Sequence, residues 1–198
     1  MNKKERIGLI RELETELAYS RFIHTLGVAY TATSLAMRHG ADLESAELAG
    51  YLHDCAKCLN LGKMLKVCAK ADLQLSEIEK QSVALLHSKA GAVLAAEKYG
   101  VTDEDILNAI RYHTTGRPGM SLLEKIIFVS DYIEPGRDTA PNLPLVRRLA
   151  YENIDDCVLQ ILQDTLLYLK TTDAEVDPMT QKTYKYYSRF VKERKSYE

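Results

Sequence analysis

The sequence predicts an all-α protein, a multi-helix bundle. Three observations carry that reading. Apolar residues recur at three- and four-residue spacing along most of the chain, capping residues precede many of these runs, and no segment shows convincing period-2 alternation. The 198 residues suit a single domain, and a chain of this size buries about 70% of its unfolded surface.

The first helix is predicted over 4–18, where Ile7, Leu9, Ile10, Leu13 and Leu17 fall at helical spacing. Ser20 can cap a second, running through Ile23, Leu26, Tyr30 and Leu35 to His39, with Gly40 as its left-handed stop. Asp42 can cap a third, which ends near Asp54 to Lys57. A short helix is expected around 62–71. Ser76 with Glu79, Thr102 with Asp105, and Ser121 with Glu124 read as capping boxes, and Ser88 and Gly100 bracket another helix. Ile126 to Val129 has strand propensity, but the apolar density after Ser121 assigns it to helix. A loop at 139–144 precedes helices at about 145–153 and 155–170, and the Tyr- and Lys-rich tail after Pro178 is read as packing on the domain.

Composition narrows the function classes. With 46% hydrophobic and 27% charged residues the chain is not disordered. The formal net charge is −2, so no global basic field holds a polynucleotide. Four cysteines in a chain this long do not form a secreted disulfide scaffold. Cys55 and Cys58 are read as ordinary small residues near a helix end. No signal core follows the charged start at Met1, and no run approaches a membrane span, so a cytoplasmic location is expected.

The functional signal is polar residues on apolar faces. His113 follows Ala109 and Ile110, His87 follows Val83 and Ala84, His53 follows Ala49 and Gly50, and His24 precedes Gly27 and Val28. Asp131 follows Ile127 and Phe128. A single buried His is commonly a satisfied core residue. Four of them with two aspartates are more economically explained by a shared polyvalent cation, because an unpaired buried carboxylate is costly. His39 is the internal control. At ~1.5 Å rise per residue it lies about 22 Å along the helix from His24, so it is left structural. His53-Asp54 is the centre, and these adjacent ligands can flank one ion only where the helix end is distorted.

The motifs read Arg21-Phe22-Ile23-His24-Thr25-Leu26-Gly27-Val28, His53-Asp54-Cys55-Ala56-Lys57, Ile110 to Met120 with His113-Thr114-Thr115-Gly116-Arg117, and Val129 to Arg137 with Asp131. This pattern resembles the HD-domain superfamily of metal-dependent phosphohydrolases. More narrowly it is similar to the bacterial YqeK family, the HD-type symmetrical diadenosine tetraphosphate hydrolases. The resemblance implies one HD-type domain over 1–198, with a core of about 18–137 and C-terminal helices over 145–195. It implies that His24, His53, Asp54 and Asp131 hold one metal, and that His87 and His113 hold a second bridged by Asp54. A di-iron centre is likewise an implication of the family. Ligand chemistry by itself admits Fe, Mn, Co, Ni or Zn and argues against Ca.

Around such a site Lys57, Arg117 and Arg137 are the candidate cations for phosphate oxygens, with Asp54 they form the candidate catalytic set, and Thr114 and Thr115 are candidate hydroxyl donors. Glu134 is left without a role. The implied reaction is hydrolysis of diadenosine tetraphosphate to two ADP. The rivals are an HD phosphohydrolase for another nucleotide, an oxygenase and a non-catalytic metal- or nucleotide-binding module. A dinucleoside polyphosphate or other nucleotide is the expected partner, with no membrane or polynucleotide, and the oligomeric state, including a homodimer, is open.

Overall fold

The computed structural model describes residues 3–172 and 174–196, so Met1 and Asn2, the start of the charged N-terminal stretch, lie outside it. Eleven α-helices and one 3₁₀ turn occur among the described residues, with no strand. They are α1 (Lys3–Glu16), α2 (Tyr19–His39), α3 (Leu43–Leu52), the 3₁₀ turn (Cys55–Cys58), α4 (Leu61–Lys70), α5 (Glu77–Gln81) and α6 (Val83–Glu97). The order continues with α7 (Glu104–Tyr112), α8 (Leu122–Ile133), α9 (Leu143–Glu152), α10 (Ile154–Thr171) and α11 (Pro178–Lys195).

Local chemistry sets most boundaries. Asp42 accepts from the Ser45 amide at the start of α3. Gly40 closes α2 at φ 79° with its N–H on the Ala36 carbonyl. Ser76 with Glu79 and Ser121 with Glu124 form complete capping boxes. Three expectations shift. Ser20 is not a cap, since α2 starts at Tyr19 after Ala18 without a side-chain cap. Asp103, not Thr102, caps α7, because Asp103 is the residue directly before the helix and its carboxylate accepts from the Asp105 amide at 2.8 Å. Ser88 lies within α6, where its hydroxyl donates to the Leu85 carbonyl of its own helix.

The core lies where α2, α3, α7 and α8 meet, and it is filled by residues such as Ala29, Leu35, Leu52, Ile110, Ile126 and Ile127. The helices α2 and α3 touch at Gly50, where a Cβ would come within 2.6 Å of the Ala29 Cα. A smaller apolar cluster, Met64, Cys68, Leu86 and Ala90, fixes α4 against α6. On the other side α10 packs on α8, α9 and α11. In the tail, Tyr187 is buried and Tyr184 packs on the core, so the aromatic stretch is used internally. His39 Nε2 lies 2.7 Å from the Ala150 carbonyl, tying the end of α2 to α9.

Candidate metal centre

Four imidazoles and two carboxylates converge at the core of the bundle. His24 comes from α2, His87 from the first half of α6 and Asp131 from the last turn of α8. His53 and His113 occupy equivalent local positions, each the residue directly after a helix, α3 and α7. Each sends its Nδ1 back to the carbonyl three residues earlier, Gly50 at 2.7 Å and Ile110 at 2.8 Å. These carbonyls are among the last four of their helices, which lack intrahelical donors. The helix end thus satisfies its own backbone and aims the ring. Asp54 follows at φ −108°, ψ 14°, where α3 gives way to the 3₁₀ turn. That break lets the adjacent His53 and Asp54 face one point.

The Nδ1 of His87 lies 3.2 Å from the Val83 carbonyl, and that of His24 lies 3.1 Å from Glu134 Oε1. An Nδ1 facing an oxygen acceptor assigns the proton to that nitrogen and leaves a lone pair on Nε2. All four Nε2 atoms point inward. Those of His24 and His53 are 3.4 Å apart, and those of His87 and His113 are 3.0 Å apart.

Asp54 sits between the two pairs. Its Oδ2 lies 3.5 Å from His53 Nε2 and 3.8 Å from His24 Nε2, and its Oδ1 lies 3.1 Å from His87 Nε2 and 3.7 Å from His113 Nε2. Oδ1 is buried and accepts no aligned hydrogen bond. Asp131 Oδ1 is 3.0 Å from His24 Nε2. Two donor sets, His24–His53–Asp131 and His53–Asp54–His113, each bring their ligand atoms within 4.8 Å of one another.

Facing lone pairs and an orphaned buried carboxylate oxygen are unfavourable unless a cation lies among them. The residues therefore fit a metal. Outward hydrogen bonds on every ring are the arrangement that metal-binding histidines use to fix tautomer and orientation.

The electrostatics agree. Burial disfavours an ionised Asp54, but His53, His87 and His113 outweigh it and hold its carboxyl well below the usual range. Asp131 is likewise held down against burial by His24, His53 and His113. Burial and the neighbouring imidazoles push His113 down to about 3, which keeps it neutral at physiological pH, the state in which an imidazole can bind a metal. At His53 burial works against the charged form, yet the Asp54 and Asp131 charges raise its pKa.

The surrounding cations divide. Arg137 donates from Nη2 to Asp131 Oδ1 at 2.7 Å and from Nε to the Asp131 carbonyl at 2.9 Å. Lys57 is half-buried, and its pKa is lowered by desolvation while Asp54 and Asp131 oppose that shift. Thr114 Oγ1 lies 3.5 Å from His87 Nε2, whereas the Thr115 hydroxyl donates to the Gly116 carbonyl. Arg117 is not grouped with these. Its guanidinium donates to both oxygens of Glu124, at 2.6 and 2.8 Å, because that buried capping-box carboxylate needs a counter-charge.

Two participants had no sequence assignment. Arg21 donates to Asp54 Oδ2 at 2.7 Å, and its spacing of three from His24 on α2 was the available signal. Glu134 is buried, holds His24 and accepts from the Gly136 amide at 2.6 Å. Cys55 and Cys58 stay outside the site. Their thiols donate to the Gly91 and Cys55 carbonyls, and burial pushes the Cys55 thiol up.

Residues 21–136, which span the whole cluster, match the HD domain family. The chain belongs to the HD domain family. Membership implies a divalent metal, consistent with the donor sets above. A Bacillus subtilis relative named bis(5'-nucleosyl)-tetraphosphatase, symmetrical, is 41% identical over 184 residues, 93% of this chain and 96% of its own. A Staphylococcus aureus protein of the same name is 38% identical over 190 residues, 95% of both chains. The crystal structure of a Clostridium acetobutylicum protein described as a predicted HD superfamily hydrolase involved in NAD metabolism superposes with a TM-score of 0.90. It is 37% identical and covers 93% of this chain and 97% of that one. Each of these matches is longer than the segment 21–136 that carries the family model.

Proposed function

We propose that this chain is a metal-dependent hydrolase that splits diadenosine tetraphosphate symmetrically into two ADP. The observation that carries the reading is a complete inward-facing His/Asp cluster in a chain about 40% identical, over nearly its whole length, to proteins named for that activity. We read residues 1–198 as one HD-type domain, with a core of about 18–137, working in the cytoplasm. No helix among the described residues is long and apolar enough to cross a membrane.

In this reading His24, His53, Asp54 and Asp131 would hold one ion, and His87 and His113 with Asp54 would hold a second. Iron is the assignment we favour from the family resemblance. Bound ions supply a water of lowered pKa and positive charge next to phosphate oxygens. The chain supplies the rest. The Nε2 atoms present lone pairs, and Glu134 and the backbone carbonyls behind the Nδ1 atoms keep those rings from turning. Arg21, Arg137 and Lys57 surround the approach with donors for phosphate oxygens whose charge rises in the transition state. Arg21, His24 and Arg137 line an open cleft of about 280 Å³ beside the cluster, which is the entry for the polyphosphate. Thr114 offers a hydroxyl at the other side, Thr115 shapes the turn, and Arg117 braces that turn through Glu124. The oxygen of water joins one central phosphorus while the bond from the bridging oxygen to that phosphorus breaks, so one water and one substrate give two ADP.

The test is product analysis with the full chain loaded with iron(II) or manganese(II). Two ADP per substrate are expected, turnover should cease on chelation, and Asp54→Ala should lose both bound metal and activity. Release of AMP and ATP, or turnover by metal-free Asp54→Ala, would overturn the reading.

A further inference from the structure

Resting on the proposed reaction, we infer that the C-terminal helices build two separate nucleoside subsites, one for each end of the dinucleotide, with Thr165 of α10 as the wall between them. Two further cavities adjoin the cluster, of about 470 and 450 Å³. Both volumes fall within the range of small-molecule sites, about 300–1,000 Å³. The first reaches the cluster at Asp131 and Arg137. The second reaches it at Thr114, whose hydroxyl is 3.5 Å from His87 Nε2. Asp131 stands by the His24–His53 pair and Thr114 by the His87–His113 pair, so the cavities meet opposite ends of the cluster, with Asp54 between. Thr165 lines both.

Away from Arg137, which the first cavity shares with the cleft, the lining chemistry of these cavities differs from that of the cleft. In the first, Asp164 is buried. Its Oδ1 accepts from Asn142 and Gln160, while its Oδ2 has no partner. Tyr132, Pro141 and an exposed Tyr168 complete the wall. In the second, Leu85, Ala84 and Leu169 are joined by Glu175 and Asp177. Acids repel phosphate, whereas apolar and aromatic surface with spare acceptors suits a base and a ribose, which bring flat faces and N–H or O–H donors. A substrate cut at its centre has its scissile bond midway between two nucleosides. Two such cavities at the two ends of one metal cluster match that symmetry. Their walls include Asp164, Thr165, Tyr168, Leu169, Asp177 and Thr180, beyond the segment 21–136 shared with the HD family at large. Selection of a dinucleotide is thus assigned to the C-terminal helices.

The experiment is calorimetric titration of the manganese-loaded full chain with ADP, alongside a diadenosine tetraphosphate assay. Two ADP per chain are expected. Ala84→Trp, at an exposed position of the second cavity, should leave one. Tyr168→Ala, also exposed, should weaken one of the two about tenfold through lost base stacking and spare the other. One ADP per wild-type chain, or two unchanged in Ala84→Trp, overturns the inference. Cleavage with a single bound ADP leaves the proposed reaction standing without the two subsites. Two bound ADP without cleavage does the reverse.

Discussion

His24 and Glu134, 110 residues apart in sequence, meet at 3.1 Å between Nδ1 and Oε1. The contact joins the middle of the bundle to the residue that caps the end of α8, and it decides which nitrogen of His24 faces the cluster. The space is tight, since a Cβ on Gly27 would come within 2.5 Å of Glu134 Oε2. Glu134→Ala should weaken metal binding about 10- to 100-fold, the usual cost of removing a partner behind a metal-binding His. Glu134→Gln keeps an acceptor and should lose less. Metal titration with circular dichroism checks this, and unchanged affinity in Glu134→Ala would contradict it.

Gly50 couples packing to the site. Its missing side chain lets α3 approach α2, and its carbonyl accepts from His53 Nδ1. Gly50→Ala drives a methyl into the Ala29 backbone, which cannot yield as a side-chain tip would. Overpacking of this kind costs about 1–3 kcal/mol. A lowered urea midpoint and weakened metal binding are expected together. A variant as stable as wild type would show that the two helices can part without cost.

Asp42 gives a pH-dependent stability remote from the cluster. Its hydrogen bond with Ser45 holds its carboxyl below the ordinary value. A depressed carboxyl contributes fully above its unfolded pKa of about 3.9, and the contribution is lost as pH falls through the folded value. Asp42→Ala should therefore cost about 1 kcal/mol near neutrality, the typical worth of such a cap. The gap from wild type should narrow below about pH 4. Urea unfolding of both proteins at pH 7 and pH 3 measures it.

Much of this was legible in the sequence. Helical spacing identified the inward faces, and all six His and Asp residues singled out on them do converge. Periodicity tells which residues face inward but not which residue each one meets. Arg21 and Glu134 were missed for that reason, since each acts through a partner on a distant segment. Arg117 likewise has a partner that periodicity does not show, a buried glutamate seven residues on. Cap chemistry located Asp42, Ser76 and Ser121, but Ser20 and Ser88 lie within their helices and cap neither of them.

Arg147 on α9 donates to three carbonyls, those of Ile133, Glu134 and Arg137, along the bend that follows α8. A fragment ending at residue 136 would retain every imidazole and aspartate of the cluster but not the rivet that shapes their last segment. Excising the family's minimal unit from this protein should therefore yield a helical body with a slack, poorly loading centre, and transplanting it onto another scaffold would require carrying α9 along.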